Sequence, residues 1–174
     1  FCEYRDKRSF PLLLPLLDQP CPVERMSAVY ALGRNPFPRA VEKLISLLET
    51  DDNAYVRRAT AWSLANYDNQ IVLMPLINSL KNDVAAVRLW SSSSLSEIGS
   101  ISSHNAQLAA EQLLISLKID NEPVVRSNCI WSLCRLFEKL NTILQESFVD
   151  ECTKIALFDK EPSVMEEAKT ALDS

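Results

Sequence analysis

The chain has 174 residues, 47% of them apolar, with a formal net charge of −5 and a pI of about 5.0. That length suits one core of ordinary size; two glycines are too few for a turn-rich all-β protein, and the acidic balance argues against a nucleic-acid binder. No apolar run approaches the ~18 residues of a membrane span, since the longest, residues 10–17, is interrupted by Pro11 and Pro15.

Taken in chain order, the sequence predicts pairs of helices. Residues 10–18 form a first apolar helix, and a second begins near Glu24-Arg25. Residues 38–49 follow, with Leu44, Leu47 and Leu48 at helical spacing, then a helix from Val56-Arg57. Residues 70–81, with Leu76, Ile77 and Leu80, lead to a helix from Val87-Arg88. Residues 105–118, with Leu113, Leu114 and Leu117, lead to one from Val125-Arg126. Residues 142–158 lead to a last one from Val164-Met165. The second helices repeat one phrase, Val-Arg-x-x-(small)-x-x-(small)-Leu, with starts 32, 31, 38 and 39 residues apart. Self-similarity at this period marks a solenoid, in which a unit cannot bury its apolar face without its neighbours. The expectation is an all-α, right-handed α-solenoid of about five helical hairpins. It forms a single domain over 1–174, with repeats over about 8–35, 36–67, 69–99, 104–140 and 142–173. The chain begins at Phe1 and so reads as a fragment or a processed chain.

Within the phrase, positions 0, +4, +7, +8 and +11 share one helical face. In the second unit these are Val56, Thr60, Ser63, Leu64 and Tyr67. Small residues at +4 and +7 let neighbouring helices approach, and the leucine at +8 fills the space between layers. Asp51-Asp52-Asn53, Asn82-Asp83, Asp120-Asn121 and Asp159 break the chain between helices and can cap the next one. Pro123 and Pro162 suit the first helical turn. Gly33 and Gly99, at the ends of second helices, are expected as left-handed caps, and Pro75 is expected to kink a first helix. Extra residues near 100–105 read as a polar loop, and those before residue 140 as a longer helix.

Position +6 lies about 145° from the centre of the buried face, at about 100° per residue. It points out on the concave side and holds Tyr30, Trp62, Ser93 and Trp131; position +2 beside it holds Met26, Arg58, Leu89 and Ser127. Large aromatics and arginine dominate interfaces, so Tyr30, Arg58, Trp62, Leu89 and Trp131 are the candidate partner-binding residues. The competing possibility is that each ring packs onto the neighbouring helix, as Trp90 at +3 is expected to do.

Catalytic and metal chemistry are weakly supported. The one histidine, His104, falls in the predicted polar loop with no nucleophile beside it. Cys2, Cys21, Cys129, Cys134 and Cys152 are irregularly spaced and read as free thiols of a reducing compartment. Cys129 and Cys134 point about 140° apart on one helix and cannot share a ligand set. Cys129 takes a buried small position; Cys134, at +9, is the more exposed thiol and the candidate for a bilin or cluster contact. Asp150-Glu151 and Glu166-Glu167 read as solvated faces.

An apolar first helix, an Asp/Asn turn and a Val-Arg small-residue helix resemble HEAT repeats from about residue 8 onward. In that family the turn Asp and the following Arg form a ladder. The pairs that fit here are Asp52 with Arg57, Asp83 with Arg88 and Asn121 with Arg126, weakening at Arg25 and Met165. The segments Tyr55-Val56-Arg57-Arg58-Ala59-Thr60-Ala61-Trp62-Ser63-Leu64 and Val125-Arg126-Ser127-Asn128-Cys129-Ile130-Trp131-Ser132-Leu133 resemble the phycobilisome-lyase type of cyanobacteria and plastids. The resemblance implies a non-catalytic scaffold or adaptor in the cytoplasm or plastid stroma, without a cofactor. Its implied partner is a phycobiliprotein or an iron–sulfur assembly factor. The alternative it implies is a subunit of a phycobilin lyase or bilin chaperone, working as a heterodimer. In that case Arg58 or Arg34 would meet the propionates of a tetrapyrrole. The His-Glu pairs of metal-dependent HEAT-repeat hydroxylases are absent.

Overall fold

The computed structural model describes residues 7–173; Cys2 lies outside them. The described helices form consecutive pairs. A short helix α1 (Phe10–Leu13) and a 3-10 turn (Leu14–Asp18) precede α2 (Pro22–Arg34). Then come α3 (Val41–Thr50) with α4 (Ala54–Leu64), and α5 (Leu73–Asn82) with α6 (Ala85–Gly99). The last pairs are α7 (Ser103–Ile119) with α8 (Pro123–Leu136), and α9 (Thr142–Phe158) with α10 (Pro162–Asp173). The result is an all-α solenoid.

Successive second helices lie in close contact, α2 on α4, α4 on α6, α6 on α8 and α8 on α10, whereas successive first helices touch lightly. The tighter layer is the inner one, so the stack curves toward the second helices. The phrase explains the tightness. Leu32, Leu64, Leu95 and Leu133 at +8 are fully buried, as are Thr60, Ser91 and Cys129 at +4. Each buried leucine contributes roughly 1.5–3 kcal/mol. The hydroxyls at +7 reach the preceding inner helix: Ser94 Oγ donates to the Ala61 carbonyl at 2.8 Å and Ser132 Oγ to that of Ser92 at 2.9 Å. The same position in α4 breaks this rule, because Ser63 Oγ is buried with no partner. Tyr67 donates to the Leu32 carbonyl at 3.2 Å, and burial pushes its hydroxyl up to about 12.

Neither glycine is a left-handed cap, since no glycine has a positive φ among the described residues. Both mark close approaches instead. A Cβ on Gly33 would lie 2.6 Å from Trp62 Cζ3 and 2.9 Å from Ser63 Oγ; one on Gly99 would lie 3.0 Å from Leu136 Cδ2. Pro75 produces no kink: a 3-10 turn (Gln70–Val72) leads into α5, leaving Pro75 third in the α-helix, where its missing N–H is not needed. The predicted polar loop near 100–105 is a short turn capped by Ser102, which accepts from Asn105 N at 3.1 Å. The extra residues lengthen α7, and His104 sits exposed in its first turn.

The Arg–Asp ladder differs in register from the expectation. Arg25 grips Asp51, Arg57 grips Asp83, Arg88 grips Asp120 and Arg126 grips Asp159, each through Nε and Nη2 at 2.7–3.0 Å. The partners are the aspartates that close the first helices of the following repeats, in extended backbone. Asp51 therefore replaces Asp52, Asp120 replaces Asn121, and Arg25 is fully engaged. The Nη1 of Arg57, Arg88 and Arg126 donates to the Asp51, Asp83 and Asp120 carbonyls at 2.8–2.9 Å, so each of these aspartates joins two arginines. Burial works to raise Asp51 and Asp159, but the hydrogen bonds from Arg25 and Arg126 outweigh it and hold both carboxyls below the ordinary value.

Candidate functional site

One hollow of about 700 Å³ lies on the ladder side around Arg57, Asp83 and Arg88. Its Arg57 and Asp83 are paired with each other and its Arg88 with Asp120, which leaves little to recognise a ligand. The inner wall differs. Its solvent-facing side chains come from one face of each of α2, α4, α6 and α8, and the close spacing of those helices sets them side by side.

The five candidate residues fall into two groups. On α2 and α4, Tyr30 and Trp62 pack against each other with centroids 5.3 Å apart at 55°. Both are half-buried, and Trp62 lies over Gly33. On α6 and α8, Leu89 and Trp131 line one shallow hollow of about 340 Å³ with Val124, Asn128 and Glu167. Trp131 is 40% exposed and also walls a second hollow of about 650 Å³ reaching Cys134, Phe148 and Cys152. Packing and exposure therefore divide between the tryptophans: Trp62 leans on its neighbour, and Trp131 stands as a ridge between two hollows. The Arg135 guanidinium lies 4.9 Å from the Trp131 ring and pairs with Glu97.

Arg58 lies on α4 between Tyr55 and Trp62. Its guanidinium sits 5.5 Å from the Tyr55 centroid, and its Nε is buried with no acceptor. Three further residues belong to this surface. Tyr55 is 63% exposed and Val124 52%; both precede the phrase by one residue, an apolar choice in a helix's first turn that signals them in the sequence. Trp90, expected to pack onto the neighbouring helix, keeps 37% of its surface exposed.

Burial pushes Cys152 up to about 12 and raises Cys129 and Cys134 as well. Cys129 is fully buried, while Cys134 is half-buried. Among the described residues no group of three or more His, Cys, Asp or Glu side chains could hold a metal ion, and no helix is long and apolar enough to cross a membrane.

Stacked helix pairs of this geometry define an α-solenoid made of helical hairpins. Residues 2–65 and 41–134 match HEAT repeats, and the chain belongs to that family. No curated protein matches it significantly. Among solved structures, it resembles a chain of the complex of CpcE and CpcF of phycocyanin lyase from Nostoc sp. PCC7120. The identity is 23% and the TM-score 0.74, with 95% of this chain and 99% of that chain covered. An engineered protein matches at 22% identity and TM-score 0.66, covering 92% of this chain and 78% of that one. Human deoxyhypusine hydroxylase matches at 18% and 0.58, covering 97% and 74%. At these identities the likeness is one of fold.

Proposed function

We propose that the protein is a non-catalytic adaptor that docks a protein partner on its inner wall through Tyr30, Arg58, Trp62, Leu89 and Trp131. The observation that carries this is the row of aromatic surface left open there: Tyr55, Trp90 and Trp131 are 63%, 37% and 40% exposed on three successive inner helices. Rings of that size left in water on a curved face favour a partner that covers them. The fold likeness to a chain of a two-protein lyase complex supports a heterodimer. The partner class is a phycobiliprotein or an iron–sulfur assembly factor, met in the cytoplasm or plastid stroma. The test is affinity capture from a cyanobacterial lysate with wild-type and Trp62→Ala/Trp131→Ala protein. A single partner identified by mass spectrometry and lost in the variant supports docking here; equal capture by the variant refutes it.

The end-to-end likeness to the phycocyanin lyase chain favours a second function, a phycobilin lyase subunit or bilin chaperone. In it the inner wall holds a tetrapyrrole, Arg58 or Arg34 meets its propionates, and Trp62 and Trp131 stack on it. Mixing the protein with phycocyanobilin separates the two. A sharpened, red-shifted band lost in the tryptophan variants supports the bilin function, and an unchanged spectrum refutes it.

A further inference from the structure

We propose that Arg58 is a carboxylate-recognition point, at which an Asp or Glu side chain on a helix of the partner protein docks between Tyr55 and Trp62. This rests on the adaptor function proposed above and specifies the partner's chemistry. The chain itself shows what its inner-helix arginines do when they have partners. Arg25, Arg57, Arg88 and Arg126 each clasp an aspartate through Nε and Nη2, Arg25 reaching Asp52 as well, and Arg135 holds Glu97 while lying on Trp131.

Arg58 has none of this. It adjoins Arg57 in sequence, but about 100° of helical rotation turns it from the ladder to the open wall. Its guanidinium lies against the Tyr55 ring, and its buried Nε–H meets no acceptor. A buried donor left unmade is costly and uncommon in folded proteins, and it is satisfied if an acceptor arrives. Rotation about the last torsions lifts the guanidinium off Tyr55, which is mostly exposed and loses little. The Nε–Nη2 edge then turns into the groove, the edge that matches both oxygens of a carboxylate.

The surroundings favour a carboxylate borne on an apolar helix face over a free ion. Tyr55 and Trp62 lie three residues before and four after Arg58 on the same helix face, and half-buried Leu89 occupies the equivalent +2 position on α6. A partner helix with one acidic residue among apolar ones fits this set: the acid takes the fork and its flanks cover the rings. Among the described residues no acidic side chain pairs with Arg58: Asp51, Asp83, Asp120 and Asp159 serve the ladder, and Glu97 holds Arg135. The proposed carboxylate is therefore supplied by another molecule.

The test follows the arginine Nε–Hε signals by ¹⁵N NMR on the full chain, assigning Arg58 by loss of its signal in Arg58→Lys. The probe is 4-phenylbutyrate, with its neutral amide and inorganic phosphate as comparators. The expected result is a saturable shift of the Arg58 signal with half-saturation below about 10 mM. The Trp62 indole signal should move in parallel while the four ladder arginines stay still. Binding should fall about tenfold or more for the amide, and likewise in Arg58→Lys, which keeps the charge but loses the fork. Equal binding of the amide, a response to phosphate alone, or no shift would each overturn the proposal. With the captured partner, a tenfold loss in both Arg58→Lys and Arg58→Met supports it. Undiminished binding in those variants, with binding lost in Trp62→Ala/Trp131→Ala, sinks the carboxylate assignment and leaves the adaptor function standing. Binding undiminished in all of these variants removes the inner wall as the docking face, and with it the proposed function as stated.

Discussion

Replacing Arg88 with methionine cuts the ladder where the third hairpin meets the fourth. The substitution removes hydrogen bonds of 2.7 Å from Nε and from Nη2 to Asp120, and one of 2.8 Å from Nη1 to the Asp83 carbonyl. It leaves a carboxylate whose side chain is only 5% exposed. Stripping one partner from a buried ion pair costs about 3–5 kcal/mol. Asp120 keeps one donor, the Glu122 N–H at 2.9 Å, and Arg88 is itself 19% exposed, so the cost falls at the lower end, about 3 kcal/mol. For a chain of this length that lowers Tm by about 6–12 °C. Calorimetry and urea unfolding followed by far-UV circular dichroism measure it. Because each repeat contacts only its neighbours, the loss should also split the transition, with the last two hairpins melting first. A second change, Asp120→Asn, removes the stranded charge and should return at least about 1 kcal/mol. A loss under about 1 kcal/mol for Arg88→Met, the value of an exposed pair, would refute the structural role assigned to the ladder.

The ladder also sets an acid limit. Asp51 and Asp159 titrate below their ordinary value of 3.8, so their stabilisation is complete above that value and drains away as pH falls through the lower folded values. Urea midpoints measured from about pH 5 to about pH 2 should fall steeply, and less so in Arg25→Met. Gly33→Ala forces Trp62 off its seat: crowding of about 1–3 kcal/mol exceeds the helix-propensity gain of about 1. The protein should lose stability and show red-shifted Trp62 emission in a Trp90→Phe/Trp131→Phe background, and adding Trp62→Ala should cancel the loss. Ser63→Ala removes a buried hydroxyl that bonds to nothing, so denaturation should find it unchanged or up to about 1 kcal/mol more stable. Ser94→Ala and Ser132→Ala, which each discard a made bond, should cost about 1 kcal/mol.

The repeat phrase carried the architecture because its period is imposed by packing: in the first four units every leucine at +8 and every small residue at +4 and +7 is buried. At α10, Leu172 is 40% exposed, since no further inner helix lies on it among the described residues. The ladder's pairing was hidden because the aspartate five or six residues before Arg57, Arg88 and Arg126 offers each of them only a carbonyl, while its carboxylate goes to the arginine one repeat earlier, 26–32 residues back. The choice of Asp51 over Asp52 is made by backbone geometry at the helix end, which places one side chain inward and leaves the Asp52 side chain 92% exposed. Gly33 carried a local signal, a small residue near a helix end, but its cause is the Trp62 ring one repeat away. Exposure of the inner-wall aromatics was legible from angle alone for Trp131. It failed for Trp90, which lies on the boundary between buried and open faces. That Arg58 has an unmet donor could not be read from sequence, because partners 26–33 residues distant decide which arginines are satisfied.

A seam of tightly joined inner helices beneath a loosely joined outer shell behaves as a stiff pivot beneath a compliant spring. Bending spreads over four junctions, and no single contact has to break for the groove to widen. The protein should therefore adjust its arc to occupants of different radius at small elastic cost, while the spacing of side chains along the wall stays fixed. Small-angle scattering of the free and partner-bound chain reads this directly, as a changed radius of gyration at constant helix content.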